Sequence, residues 1–343
     1  MKLHLKLDNN NDIYYNANKA YSYDFFMAQI TGGRGIGKTT TFLIKALQNV
    51  AKDEEFIYMR RYKPELKQFV AKDTLPKICD AIGNKGDGTG GYVFFTEDTI
   101  VGYGIALSVA LSYKSTDFSK VSLLILDEAT LPPGPYHYLQ NEHEMLLEFI
   151  STVLRTRKNL RVVILGNNTD LFNPHLRYYN VPSNIETIWY DKKRRLYVEF
   201  AKNSPKLLEM EKETPLYALT EGTTYHDYHY NNKVLGARAM EIGKKPTQVS
   251  LFIRIVVDNN TVSVYHYRTR EGDLRLYCER KERIYKDDYS YILSAGGVPN
   301  NFYISMFKGK KMDTYLERFF FNNLMTYSDE LCGNIMNWVI NRL

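Results

Sequence analysis

From residue 25 to about residue 201, short apolar runs alternate with stretches of helical periodicity. That pattern predicts a parallel sheet with crossing helices, an α/β domain. The expected strands are residues 25–30, 56–60, 91–95, 121–126 and 161–166, and the expected helices 39–51, 64–82 and 142–157. A final strand pair, 185–190 and 196–201, is joined by the basic turn Asp191-Lys192-Lys193-Arg194-Arg195. After Asn203 the rhythm changes: 204–219 reads as a helix, and 223–233 is polar, aromatic and His-containing with little periodicity. Three strands follow at 249–257, 262–267 and 274–278, joined by the turns Asp258-Asn259-Asn260 and Glu271-Gly272-Asp273, and helices at 313–325 and 329–343 close the chain. The pattern divides the chain into an α/β domain (1–202), a linker subdomain (203–246) and a C-terminal domain (247–343).

The first expected strand runs into Gly32-Gly33-Arg34-Gly35-Ile36-Gly37-Lys38-Thr39, with Thr40 continuing into the first helix. This is a phosphate-binding loop in the setting it requires, between a strand and a helix. Glycines let successive backbone N–H groups wrap phosphates at the helix N-terminus. Lys38 is then the group that reaches the β- and γ-phosphates of ATP, and the Thr39 hydroxyl the one that binds Mg²⁺. The strand Leu123-Leu124-Ile125-Leu126 ends in two carboxylates, Asp127 and Glu128. Asp127 is placed to hold Mg²⁺ through water and Glu128 to polarise the attacking water. A glutamate directly after the metal-holding aspartate marks a P-loop NTPase of the additional-strand, catalytic-glutamate type.

The next strand ends in Asn167-Asn168, where an amide can touch the γ-phosphate; Asn167 is the first choice as sensor. Upstream of it Arg155, Arg157, Lys158 and Arg161 cluster at a helix end. Cations favour helix C-termini for dipole reasons alone, but an arginine here can also reach a neighbouring subunit's nucleotide, with Arg155 ahead of Arg157. Arg60-Arg61, after the second strand, has three open readings: contact with the nucleotide, contact with DNA, or a solvated surface pair.

Composition narrows the setting. Lys and Arg exceed Asp and Glu by 45 − 39 = 6, which permits a polyanionic partner without demanding one. The 28 tyrosines suit interfaces or base stacking as well as cores. Cys79, Cys278 and Cys332 have no metal-ligand spacing, and no apolar run approaches the ~20 residues of a membrane span. The expectation is a soluble protein without membrane association.

Together, the phosphate loop, Leu124-Ile125-Leu126-Asp127-Glu128 and the Arg-rich segment before Val162-Val163-Ile164-Leu165-Gly166-Asn167 resemble the genome-packaging ATPases of phi29-like phages. The arginine in the loop and the Arg-Arg-Tyr after the second strand are also similar to large terminases. The resemblance covers about the first 200 residues. It implies an ATPase that translocates double-stranded DNA, a short linker, and an α+β C-terminal domain of RNase H-like fold. It also implies a homopentameric ring, docked on a capsid portal in the cytoplasm of an infected bacterium, with a structural RNA as a further candidate partner. A two-metal nuclease on such a sheet needs a carboxylate in its first strand, whereas Leu251-Phe252-Ile253-Arg254-Ile255-Val256-Val257 places Arg254 there. Asp258 falls in the turn, and Asp313 and Glu317 read as helix-surface residues. The C-terminal domain is therefore expected to be catalytically silent. Two competing expectations remain: a complete terminase that also cuts DNA, and a nucleotide-dependent switch protein that moves nothing.

Overall fold

The computed structural model describes residues 3–7, 12–97, 99–131, 138–169, 173–179, 181, 187–231, 240–257, 260–283, 285, 289–295, 298–299 and 311–340. Packing divides the chain into two compact units. One comprises Met1–Leu131, His143–Thr169 and Ile185–Leu235; the other comprises Pro132–Glu142, Asp170–Asn184 and Gly236–Leu343. The helices are α1 (Asn18–Tyr21), α2 (Lys38–Val50), α3 (Lys63–Ala71), α4 (Thr74–Ile78), α5 (Glu142–Leu154), α6 (Pro174–Tyr178), α7 (Pro205–Lys212), α8 (Pro215–Thr220), α9 (Thr224–His229), α10 (Met312–Phe321) and α11 (Glu330–Ile340).

The first unit is built on β1 (Met27–Gly32), β2 (Glu55–Arg60), β3 (Gly83–Gly86), β4 (Tyr92–Thr96), β5 (Thr99–Ala106), β6 (Val121–Leu126), β7 (Arg161–Asn167), β8 (Ile188–Asp191) and β9 (Leu196–Ala201), in the sheet order β3-β4-β5-β2-β6-β7-β1-β9-β8. The stretch from β5 to β9 is parallel throughout, and β3, β4 and β8 add antiparallel edges. Every residue of β1 and β6 is buried, as strands covered on both faces require, which is why they are largely apolar, with Gln29, Thr31 and Ser122 as buried polar exceptions. β7 lies between β1 and β6, so the phosphate loop and the acidic pair end on the same edge with Asn167 between them.

Four of the expected helices differ from the sequence expectation, three of them for a local reason. The helix expected over 64–82 is two helices, with Asp73 left-handed (φ 51°) between them. Pro76 then falls in the first turn of α4, where its missing N–H costs nothing, instead of inside a long helix. The helix expected over 204–219 is also divided, because Pro215 opens α8 and the Thr214 hydroxyl caps it by accepting from the Tyr217 N–H. α5 stops at Leu154, since Arg155 turns left-handed at φ 49°. The expected helix over 313–325 likewise ends at Phe321, and Met325–Tyr327 forms a strand. The 3₁₀ turn Leu107–Tyr113 and the strands β3 and β5 had no counterpart in the sequence reading.

The second unit carries β10 (Glu241–Ile242), β11 (Ser250–Val257), β12 (Asn260–Arg268), β13 (Leu274–Lys281), β14 (Ser290–Ala295), β15 (Val298–Pro299) and β16 (Met325–Tyr327), ordered β10-β16-β13-β12-β11-β14-β15. β11, β12 and β13 form an antiparallel meander, and β14 joins β11 in parallel. Alternate residues Ile253, Ile255 and Val257 bury against Leu316, Ile335, Met336 and Trp338 of α10 and α11. Of the first-strand turn expected at 258–260, Asp258 and Asn259 lie outside the described residues.

Candidate nucleotide site

The C-terminal edge of the parallel sheet gathers the expected chemistry. Gly37 (φ 88°) makes the left-handed turn that starts α2, a conformation that a Cβ would strain. The turn aims the Lys38 ammonium back under the loop, where it donates to the carbonyls of Gly32 (3.0 Å) and Gly33 (2.6 Å) and to Asn167 Oδ1 (3.4 Å). Gly32 pairs with Asn167 in the β1–β7 register, so strand alignment itself brings these groups together. The Asn167 backbone is fixed by Thr130, whose hydroxyl accepts from its N–H and donates to its carbonyl, each at 2.7 Å. Asn168 points elsewhere: it is buried, and its amide donates to the Tyr228 carbonyl at 3.3 Å.

Thr39 Oγ1 lies 3.1 and 3.0 Å from the two Asp127 oxygens. Asp127 Oδ2 also accepts from Tyr58 Oη at 2.8 Å, and Asp127 Oδ1 accepts from the Glu128 N–H at 2.9 Å. Glu128 is left-handed (φ 52°), a conformation that costs on the order of 1–3 kcal/mol in a non-glycine residue. Its carboxylate is half-exposed and pairs with Arg60 Nη2 at 3.0 Å, while Arg60 Nη1 sits 3.4 Å from Asp127 Oδ2. Thr40 is half-buried in the first turn of α2, and Arg34 is exposed on the loop with its charge felt at Tyr228 and His229.

A buried Lys38 ammonium whose close partners are carbonyl and amide dipoles fits an anionic ligand. Burial pulls its pKa from 10.5 down to about 8, and Asp127 opposes the shift. The Thr39–Asp127 pair supplies the hard oxygen ligands suited to Mg²⁺. Nucleotide phosphates beside Lys38 favour its charged form, so binding takes up a proton when the free ammonium is partly neutral. Affinity is therefore expected to fall as pH rises through about 8, by roughly tenfold between pH 7 and pH 9. Titration calorimetry with ADP in two buffers of different ionisation enthalpy measures the uptake directly; proton-neutral binding at pH 8.5 contradicts the assignment.

Several residues take places the sequence reading did not give them. Arg60-Arg61 is not a solvated surface pair: Arg60 bridges the two acids, and Arg61 is buried, donating to the carbonyls of Glu128 (3.3 Å) and Ala129 (2.7 Å). Tyr58 stacks on Phe69 at 3.8 Å and holds Asp127, a role with no sequence signal beyond its sharing a strand face with Arg60. The four cations upstream of β7 are not equivalent. Arg157 donates to the carbonyls of Phe118, Ser119, Val121 and Val153 (2.5–2.9 Å), which makes it a strut. The Arg161 guanidinium lies over the rings of Tyr21 (4.7 Å) and Phe25 (4.9 Å). Arg155 and Lys158 are exposed.

Beyond the phosphate loop, the N-terminal segment is tied down by a buried carboxylate. Glu199 of β9 accepts from Tyr15 Oη (2.8 Å), Tyr197 Oη (2.7 Å) and Lys19 Nζ (2.8 Å). The Tyr15 N–H in turn donates to the Ile36 carbonyl at 2.8 Å, so the clasp reaches the loop itself.

The family model of the podovirus DNA encapsidation protein (Gp16) matches residues 9–340. The chain belongs to that family. It is 28% identical over 257 residues to the DNA packaging protein of Bacillus phage phi29, covering 74% of this chain and 75% of the relative. The corresponding protein of Bacillus phage B103 is 28% identical over 245 residues, covering 71% and 75% of the two chains. Among solved structures, the bacteriophage Phi-29 viral genome packaging motor assembly superposes with a TM-score of 0.61 at 22% identity, covering 96% of this chain and 99% of that one. The Phi-28 gp11 DNA packaging motor gives 0.60 at 18% identity, covering 97% and 99%. These structural likenesses extend over both units of the chain.

Proposed function

We infer that this chain is the ATP-hydrolysing motor that drives double-stranded viral DNA into a preformed capsid. The observation that carries the reading is the single sheet edge on which Lys38, Thr39, Asp127, Glu128 and Asn167 meet, in a chain of the DNA encapsidation family. In this reading Gly32–Thr40 holds the nucleotide phosphates, with Lys38 neutralising the β- and γ-phosphates. Thr39 and Asp127 hold Mg²⁺, Glu128 orients the attacking water, and Asn167 contacts the γ-phosphate. The position of β7 between β1 and β6 supports the additional-strand type of P-loop NTPase.

The reading extends to assembly. The motor acts as a homo-oligomeric ring, a pentamer as the resemblance implies, at the portal vertex of the capsid in the host cytoplasm, where an RNA is a further partner. Residues 1–202 form its ATPase domain, 203–246 a linker subdomain and 247–343 a nuclease-derived domain without catalysis. The β13-β12-β11-β14 arrangement, three antiparallel strands with the fourth parallel to the first, supports an RNase H-like ancestry for the last. Arg254, in its first strand, lies with its guanidinium 4.7 Å from the Tyr285 ring centroid.

Two measurements on one preparation test the reading. The ATPase rate is expected to rise on adding double-stranded DNA, and supercoiled plasmid incubated with Mg²⁺ or Mn²⁺ is expected to remain intact. A rate indifferent to DNA favours the switch protein, and chelator-sensitive nicking favours the complete terminase.

A further inference from the structure

Among the described residues of the first unit, helices α7 to α9 present apolar side chains to solvent. Met210 is 52% exposed, Leu216 43%, Leu219 80% and Tyr225 41%, and α8 buries none of its residues. Leu216 and Leu219 share a face at i, i+3 spacing. Tyr217, by contrast, turns to the rings of His226 (4.6 Å) and Tyr230 (4.8 Å). The segment is acidic: Glu209, Glu211, Glu213, Glu221 and Asp227 stand against Lys206 and Lys212. It leaves the sheet at the phosphate-loop edge, since Ala201 pairs with Gly32 and the Tyr228 carbonyl binds Asn168.

The opposite edge of the same sheet is cationic. Residues 114–120 and 155–158 are tied together by Arg157 and carry Lys114, Lys120, Arg155, Arg157 and Lys158 against Asp117. Asp53 takes Lys120 at 3.0 Å. β7, with seven residues, separates the two edges, a span of roughly 20 Å at the usual rise per residue. A side chain cannot bridge that distance within one chain, so the complementary patches can meet only between copies.

We propose that the acidic, apolar face of α7–α9 docks on the Lys114–Lys158 edge of a second copy of this chain, head to tail. Lysine stems cover Leu216 and Leu219 while their ammonium heads meet the glutamates. Joining unlike surfaces leaves a free copy of each at the ends, so the contact propagates and closes only as a ring. It also delivers Arg155 to the phosphate-loop side of the adjoining copy. The proposal rests on the ring reading above and names the surfaces that form it.

Cysteine cross-linking tests it, because Cys79, Cys278 and Cys332 are all buried. In the full chain with Mg²⁺ and ATPγS under mild oxidation, Leu219→Cys/Lys158→Cys is expected to give a ladder of covalent dimers, trimers and larger species. Each single variant gives dimers at most. Adding Glu213→Lys should weaken the ladder severalfold, and restoring opposite charge with Lys120→Glu should recover part of it. A double variant that stops at dimers indicates a two-fold contact and overturns the proposal. So does the absence of cross-links, or a drop in melting temperature for Leu216→Asp/Leu219→Asp as large as for a core variant, which places the patch under its own chain. If cross-linking fails while Arg155→Ala and Glu128→Gln subunits still complement each other, the ring reading survives and these surfaces are wrong. If both fail, the ring reading falls too.

Discussion

Mixing Arg155→Ala and Glu128→Gln subunits is expected to restore ATPase activity that neither preparation shows alone. Arg155 is exposed just beyond α5, before β7 begins, whereas its own phosphate loop lies at the far end of the parallel strands. It cannot serve its own nucleotide. An arginine supplied to a neighbour's transferring phosphoryl group contributes about 10³–10⁵ in rate, so Arg155→Ala should bind ATP normally and hydrolyse it at a small fraction of the parent rate. In a mixed ring, a site with an intact Glu128 sometimes meets a neighbour with an intact Arg155, and such sites turn over. No recovery, with mixed assembly confirmed by mass, would leave Arg155 a helix-end cation. Arg157 is a poor substitute, because its guanidinium already binds four carbonyls; Arg157→Ala should lower stability before it lowers catalysis.

Within one site, Lys38→Ala and Glu128→Gln should separate binding from hydrolysis. The Lys38 ammonium is buried under the loop against two carbonyls, and its loss removes the positive charge that nucleotide phosphates would neutralise. Affinity and turnover should both fall. Glu128 is half-exposed and touches Arg60 instead of the loop, so Gln should leave affinity within about twofold while hydrolysis drops on the order of a hundredfold or more. Equilibrium binding of a fluorescent ADP analogue and single-turnover hydrolysis read the two effects separately. Parental hydrolysis by Glu128→Gln would remove the carboxylate from the mechanism.

How much of this was legible in the chain depends on what each residue needed to know. Gly32–Thr39 and Asp127-Glu128 carry their chemistry in contiguous residues, so the sequence locates them without a fold. The Pro76 and Pro215 breaks were also visible in principle, since proline inside a helix removes a bond and clashes with the preceding turn. β5 was obscured by its two glycines, which lower strand propensity. In the sheet, a Cβ at Gly102 would sit 2.7 Å from the Phe56 carbonyl, so the glycine is what lets β5 approach β2. Tyr58 and Thr130, and the carboxylate partners of Arg60, were out of reach for a different reason. Each acts on a residue of another strand or on the strand end beside it, and a single sequence does not give the order of strands in a sheet.

That order has a mechanical reading. β7 pairs with β6 over Arg161–Ile164 and with β1 over Val162–Asn167, with Asn167 at one end and the Arg155–Lys158 turn leading into the other. If Asn167 registers the γ-phosphate of its own subunit while Arg155 serves the next, a single rod connects two consecutive sites. Pushing one end displaces the other, and the two ends do different jobs. News of hydrolysis would then travel around the ring in one sense only, fixed by the polarity of a seven-residue strand.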